Sequence, residues 1–305
     1  MVDCVIGIDI GGTNIRVGLV DANLGLVRKE TALTASFQTA DDLFTHVRTM
    51  VDRVDCGRQA AGIGIALPVP WKEEMACICD ATNIPCIENI SIQTIKSYFS
   101  GYEVYFENDV NVIALLESEH GASKSYSHSM YITVSTGIGS GIILNNEIHQ
   151  GSHGYAGEIG GMIVSDSSKS LSSLYNGTLE SLCSGKALEE EGKRLYGSGA
   201  TTQTLFDKYH QQDKNAAVVI DRWVEHFSNA IATLMQTIDP DVFVVGGAVI
   251  DNNQWLIDRV VERARDKVLE NLRDSINIVM SAFGPDAGMI GAGLVALKNT
   301  KGDKR

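Results

Sequence analysis

Two common nucleotide-binding strings are missing from this sequence. No G-x-x-x-x-G-K-[ST] occurs, and the nearest string, SGKAL, has Ala187 where a magnesium-binding hydroxyl belongs. No G-x-G-x-x-G follows a strand pattern, because the glycines of STGIGSG (135–141) are spaced G-x-G-x-G. P-loop and dinucleotide-type binding are therefore not expected. Basic residues are scarce too: 25 Lys and Arg stand against 38 Asp and Glu, a formal net charge of −13. Such a chain has no broad positive field to attract nucleic acid or an anionic membrane, so neither is an expected partner. Any phosphate site has to be local, made by loops and a cation. The one basic cluster, KNTKGDKR at the C-terminal end, reads as a solvated tail. No apolar stretch approaches the ~18 residues of a membrane-spanning helix. The six cysteines, at 4, 56, 77, 79, 86 and 183, include one loose group whose C-x-C-x6-C spacing fits no common zinc site. They read as free thiols. With no basic n-region after Met1, a cytoplasmic location is expected.

What is present begins with residues 6–21, IGIDIGGTNIRVGLVD. Ile6, Ile8 and Ile10 alternate with period two, as do Ile15, Val17 and Leu19, which predicts two paired strands. A simple hairpin would join them through Asn-Gly or Asp-Gly. Here Asp9 sits inside the first strand, and Gly11, Gly12, Thr13 and Asn14 follow it. Glycines at 11 and 12 permit positive φ and close approach of a ligand, so the turn's N–H groups suit a phosphate while Asp9 faces a cation. Taken alone, the stretch also reads as a plain hairpin.

Residues 130–145, MYITVSTGIGSGIILN, repeat this design, which suggests two related α/β lobes. Further strands are expected at 59–68, 103–108, 241–249 and 276–283. Helices are expected around the apolar positions 43, 47, 50, 51 and 54, and over 109–120, 216–238, 255–271 and 286–299. Residues 165–173 read as a polar insertion. The alternation of strands and helices argues an α/β fold.

Taken in order, DIGGT (9–13), ENDVN (107–111), STGIGSG (135–141), HGYAGEIGG (153–161), GTLESLCSG (177–185) and VVGGAV (244–249) resemble the ROK family of repressors, open reading frames and sugar kinases. The resemblance covers nearly the whole chain. It implies a two-lobed actin-like ATPase (ribonuclease H-like) fold with duplicated hairpins. Residues 1–117 would form a small lobe, completed by a C-terminal helix at 287–305, and 118–286 a large one. The lobes would close on ATP and a sugar, with transfer of the γ-phosphate to a hydroxyl.

The resemblance also implies site residues. Asn83, Asn108, Asp109, His153, Glu158 and Glu180 would bind the sugar, with Asp109 taking the proton of the attacking hydroxyl. Asp9 would hold the Mg²⁺ shell through water. Gly11, Gly12, Thr13, Asn14, Thr136, Gly137, Gly139, Gly246 and Gly247 would line the nucleotide. The chemistry fits these residue types, because phosphoryl transfer needs positioning, charge neutralisation and an ionised carboxylate at the nucleophile. Blander readings exist for several: Asp109 as a helix N-cap, Glu158 as a solvated loop charge, Glu180 as a first-turn helix charge, and His153 as a loop pin.

Many members of the family carry a zinc site of one histidine and three cysteines. The corresponding positions here are Gly161, Leu171, Ser173 and Thr178, so no zinc is expected. Leu171, Leu174, Tyr175 and Leu179 are expected to hold that loop by packing. The resemblance further implies a homodimer, with apolar positions of the 255–271 helix as a candidate surface. DIGGT starts at residue 9, so the kinase branch is expected rather than the DNA-binding one. The expected activity is ATP- and Mg²⁺-dependent phosphorylation of a hexose at its 6-hydroxyl. Glucose leads; N-acetylmannosamine, a β-glucoside, allose and fructose stay open, as does a sugar-binding protein without catalysis.

Overall fold

The computed structural model describes residues 4–57, 59–171 and 174–300. In chain order the strands are β1 (Cys4–Ile10), β2 (Asn14–Asp21), β3 (Leu26–Leu33), β4 (Gly62–Leu67), β5 (Glu103–Asn108), β6 (Ser129–Val134), β7 (Ile138–Leu144), β8 (Glu147–Ile148), β9 (Val242–Gly246) and β10 (Ile278–Met280). The helices are α1 (Ala40–Val54), α2 (Ile92–Tyr98), α3 (Asp109–His120), α4 (Leu179–Cys183), α5 (Gly185–Tyr196), α6 (Thr202–His210), α7 (Lys214–Thr237), α8 (Ala248–Asp251), α9 (Trp255–Arg265) and α10 (Ala287–Thr300). None of them is long and apolar enough to cross a membrane.

The chain divides into two units. The first comprises 1–121, 148–156 and 283–305, and the second 122–147 and 157–282. Residues 148–156 thus group with the first unit, although the sequence had set them within 118–286. Gln150 and Ser152 explain this: Gln150 Nε2 donates to Glu107 of that unit and Ser152 O accepts from its Lys72. The last residues of the expected 287–305 helix, from 301 on, and Ser173 lie outside the described residues.

Each unit is built on a five-stranded sheet, ordered β3-β2-β1-β4-β5 in the first and β10-β9-β6-β7-β8 in the second. The order is the same in both. A hairpin (β1–β2 or β6–β7) pairs antiparallel, and parallel strands (β4, β5 or β9, β10) lie beside its first strand. The duplicated α/β architecture read from the two hairpins is therefore present.

In the first unit, period two sends Ile6, Ile8 and Ile10 to one face, where they pack with Leu43, Phe44 and Val47 of α1. Val5, Gly7 and Asp9 take the other face, toward α10. Gly18, Gly7 and Gly64 stand in register across β2, β1 and β4. A β-carbon on Gly7 or Gly64 would run into the α10 backbone at Met289 or Ala292. This glycine row lets α10 lie directly on the sheet, with its own Gly288 against Asp9.

Some elements differ from expectation. The edge strand β3 and helix α2 were not anticipated; β3 is mostly exposed and lacks an apolar stripe. The 255–271 helix stops at Arg265, and a 3-10 turn follows at Glu270–Ser275. The Leu269 N–H turns instead to the side-chain oxygen of Gln236 at 3.3 Å.

Candidate active site

In the first unit the turn after β1 is short, because Asn14 already belongs to β2. The Gly11 N–H donates to Asn14 O at 2.9 Å. Thr34, the residue after β3, fastens the turn twice: its N–H donates to Thr13 O at 2.9 Å and its hydroxyl to Gly11 O at 2.6 Å. Neither Gly11 nor Gly12 has positive φ, so the left-handed turn expected from the glycines is not used. Their value is room instead. A β-carbon on Gly12 would sit 3.1 Å from Asn83 O, so Asn83 adjoins the turn. Gly12, Thr13 and Asn83 are exposed.

Asp9 is 8% exposed and accepts from Arg16 Nη1 at 3.1 Å. Burial pushes its carboxyl above the ordinary value, while the charge and hydrogen bond of Arg16 pull it back. Gly288, the second residue of α10, stands next to it, and a helix N-terminal turn favours an anion. The donor set fits a magnesium ion carried by a nucleotide, since Mg²⁺ keeps most of its waters and needs only one or two carboxylates.

Helix α3 starts on the dipeptide Asn108-Asp109. Asn108 has φ −64° and ψ 144°, and its Oδ1 accepts from Val110 N (2.9 Å) and Asn111 N (3.1 Å). The N-cap is therefore Asn108, and capping does not account for Asp109, the first helical residue. The Asn108 Nδ2 donates to Val69 O at 3.0 Å, so much of this side chain is already engaged. Before it, Glu107 is 7% exposed and gathers three donors: Asn108 N (2.8 Å), Asn111 Nδ2 (2.9 Å) and Gln150 Nε2 (2.6 Å). Burial raises its carboxyl, and the bonds from Asn111, Asn108 and Gln150 oppose that. His153 is exposed in the same 148–156 segment.

In the second unit the turn runs from Ser135 to Gly137, closed by Ser135 N donating to Gly137 O at 2.9 Å. Gly139 lies within β7 opposite Thr133, outside the turn. The start of α5 is tied to the same loop: Gly185 N donates to Ser135 O (2.7 Å) and Lys186 N to Thr136 O (3.2 Å). Glu180, in the first turn of α4, accepts the Ile138 N–H on Oε2 at 2.7 Å. The same oxygen lies 2.7 Å from where a β-carbon on Gly137 would stand. Gly247, with φ +93°, passes so near Val134 O and the Ser135 and Thr133 hydroxyls that no side chain fits there. Beyond it, Ala248 and Val249 line a cavity of about 480 Å³ with Thr136, Lys186, Gln203, Phe206 and Asn252.

Residues 5–299 match the profile of the ROK family. The chain belongs to the ROK family. Among ROK relatives it is 26% identical over 302 residues to a glucokinase of Thermotoga maritima, covering 94% of this chain and 95% of that protein. Its fold matches the ROK hexokinase of Thermus thermophilus with a TM-score of 0.85 and 28% identity over 98% of this chain and 99% of that one. It matches a ROK family glucokinase of Streptomyces griseus, solved with glucose and AMPPNP, with a TM-score of 0.80 and 25% identity over 96% and 98%.

Where many ROK proteins have zinc ligands, Gly161 is exposed and a β-carbon there would meet nothing within 4 Å. Thr178 instead caps α4, accepting from Ser181 N at 3.4 Å and donating to the Ser181 hydroxyl at 2.7 Å. Leu171 and Leu179 are buried, Leu174 is half-buried, and Tyr175 is 82% exposed. Tyr175 therefore does not pack the loop as expected; the Thr178–Ser181 pair holds α4 in polar fashion. The sequence reading missed Arg16, Thr34, Glu107, Gln150 and the lining residues Gln203, Phe206 and Asn252. Only Arg16 had a local signal, since it faces Asp9 across the hairpin register.

Proposed function

We propose that this ROK protein transfers the γ-phosphate of ATP to the 6-hydroxyl of glucose or a closely related hexose. The observation that carries the site assignment is the start of α3, where Asn108 does the capping and Asp109 follows it unneeded for that purpose. A carboxylate beside the acceptor hydroxyl is what the reaction requires. In the proposed step the sugar oxygen forms a bond to the γ-phosphorus, the bond to the ADP oxygen breaks, and the hydroxyl proton passes to Asp109. Asn83, Asn108, His153, Glu158 and Glu180 would bind the sugar. Glu180 would do so through Oε1, since Oε2 holds the Ile138 amide.

Asp9 would hold the water shell of Mg²⁺, and the Arg16 guanidinium beside it opposes the upward push of burial on that carboxyl. When bound, Mg²⁺ neutralises phosphate charge. Gly11, Gly12, Thr13, Asn14, Thr136 and Gly137 would lie along the phosphates, and Gly246 and Gly247 would lead into the 480 Å³ cavity for the nucleoside. The chain offers neither thiol nor imidazole at Gly161, Leu171, Ser173 or Thr178, which supports a kinase without zinc. The open space at Gly161 supports tolerance of a substituent at carbon 1 or 2 of the hexose.

A coupled ADP-release assay over a panel of hexoses, amino sugars and acylated sugars tests this reading, with turnover expected on glucose or a near relative. No turnover on any hexose overturns it. Elemental analysis is expected to find no stoichiometric zinc. Light scattering is expected to give a homodimer, and no binding to nucleic acid or vesicles is expected from a chain of net charge −13. A cytoplasmic location belongs to the same reading and is checked by fractionation.

A further inference from the structure

Glu107 is a buried carboxylate that pairs with no Lys or Arg among the described residues. A buried charge of this kind persists only when hydrogen bonds replace its lost hydration. Its Oε1 is served locally, by Asn108 N at 2.8 Å and Asn111 Nδ2 at 2.9 Å. Its Oε2 is served from 43 residues away, by Gln150 Nε2 at 2.6 Å. Asn111 is 3% exposed and its Oδ1 finds no partner among the described residues, so the Glu107 carboxylate alone orients that amide. Asn108 then caps α3 through Val110 N and Asn111 N. Gln150 is itself fixed: its carbonyl accepts from Ala156 N at 3.2 Å, and within its segment Gly154 (φ +83°) lies against the Trp71 backbone.

We propose that Gln150 is a positioning residue for phosphoryl transfer, clamping Glu107 and through it the β5–α3 junction that carries Asp109. This rests on the reading of Asp109 as the base. A general base displaced by a fraction of an ångström loses much of its effect while the fold survives. Gln150 thus acts on turnover more than on stability.

The experiment compares Gln150→Met, Gln150→Glu, Glu107→Gln/Gln150→Glu and Asp109→Asn in the full chain, measuring kcat, both KM values and the melting temperature. Gln150→Met removes the donor at nearly constant volume and is expected to lower kcat about 10-fold with KM for ATP within about 3-fold. Gln150→Glu sets two carboxylates together and is expected to cost about 30-fold or more in kcat. The double variant restores an amide–carboxylate pair with the partners exchanged, and is expected to recover about 10-fold of that loss. A Gln150→Met enzyme with normal kcat and only a lower melting temperature overturns the inference, as does a double variant with no recovery. If Asp109→Asn abolishes turnover while both Gln150 variants remain normal, the positioning role alone fails. If Asp109→Asn turns over normally, the base assignment fails and the positioning role with it.

Discussion

In the β1–β2 hairpin the acid, Asp9, belongs to the strand itself and is answered from the next strand by Arg16 at 3.1 Å. In the β6–β7 hairpin the acid, Glu180, arrives from α4 and is answered by a backbone N–H, that of Ile138, at 2.7 Å. The two turns share strand order and glycine content, yet their carboxylates are satisfied differently. A carboxylate balanced by a side-chain cation can exchange part of that balance for another cation. One that accepts a main-chain amide is bound into the turn's conformation. Asp9 is therefore balanced by a side-chain cation within its own hairpin, whereas one oxygen of Glu180, Oε2, is committed to shaping a loop.

Substitutions can break this contrast, and the largest effect is expected at Asp109. Asp109→Asn should lower kcat by about 10²-fold or more, with sugar binding by calorimetry retained. Equal loss from a neutralised Glu180 would erase the distinction between the units. Next comes Asp9→Asn, which leaves Arg16 without its partner. It should lower kcat/KM by about 10- to 100-fold and raise the Mg²⁺ concentration for half-maximal rate, read from a magnesium titration. Glu180→Gln keeps an acceptor for the Ile138 amide but removes the charge. It should weaken stability by roughly 1 kcal/mol and raise KM for the sugar a few-fold, measured by thermal unfolding and steady-state kinetics. Smallest is Gly161→Ala, where the added methyl meets only open space. Unfolding free energy should change by less than about 0.5 kcal/mol, and kcat on unmodified glucose should stay put.

How far the sequence reached can be judged from the same two hairpins. Their strands, and the repeat between them, were legible because period-two alternation is local and strong in both IGIDI and MYITV. The α3 start was legible from Asn-Asp standing before an apolar run, although the capping residue proved to be Asn108 rather than Asp109. Helix 255–271 was read too long, because apolar spacing continues past Arg265 while the backbone bond of Leu269 goes to another element.

Sequence by itself determined the α/β class, the duplicated hairpins and the acidic balance, since each follows from spacing or composition, and the order of its motifs carried the resemblance to the family. Tertiary structure decided what the charged groups do. Asn83 meets Gly12, Glu180 meets Ile138, and Gln150 meets Glu107 across separations of 42 to 71 residues. No local pattern encodes such pairs: a buried carboxylate needs donors of the right geometry, and only the packed chain brings them within 3 Å.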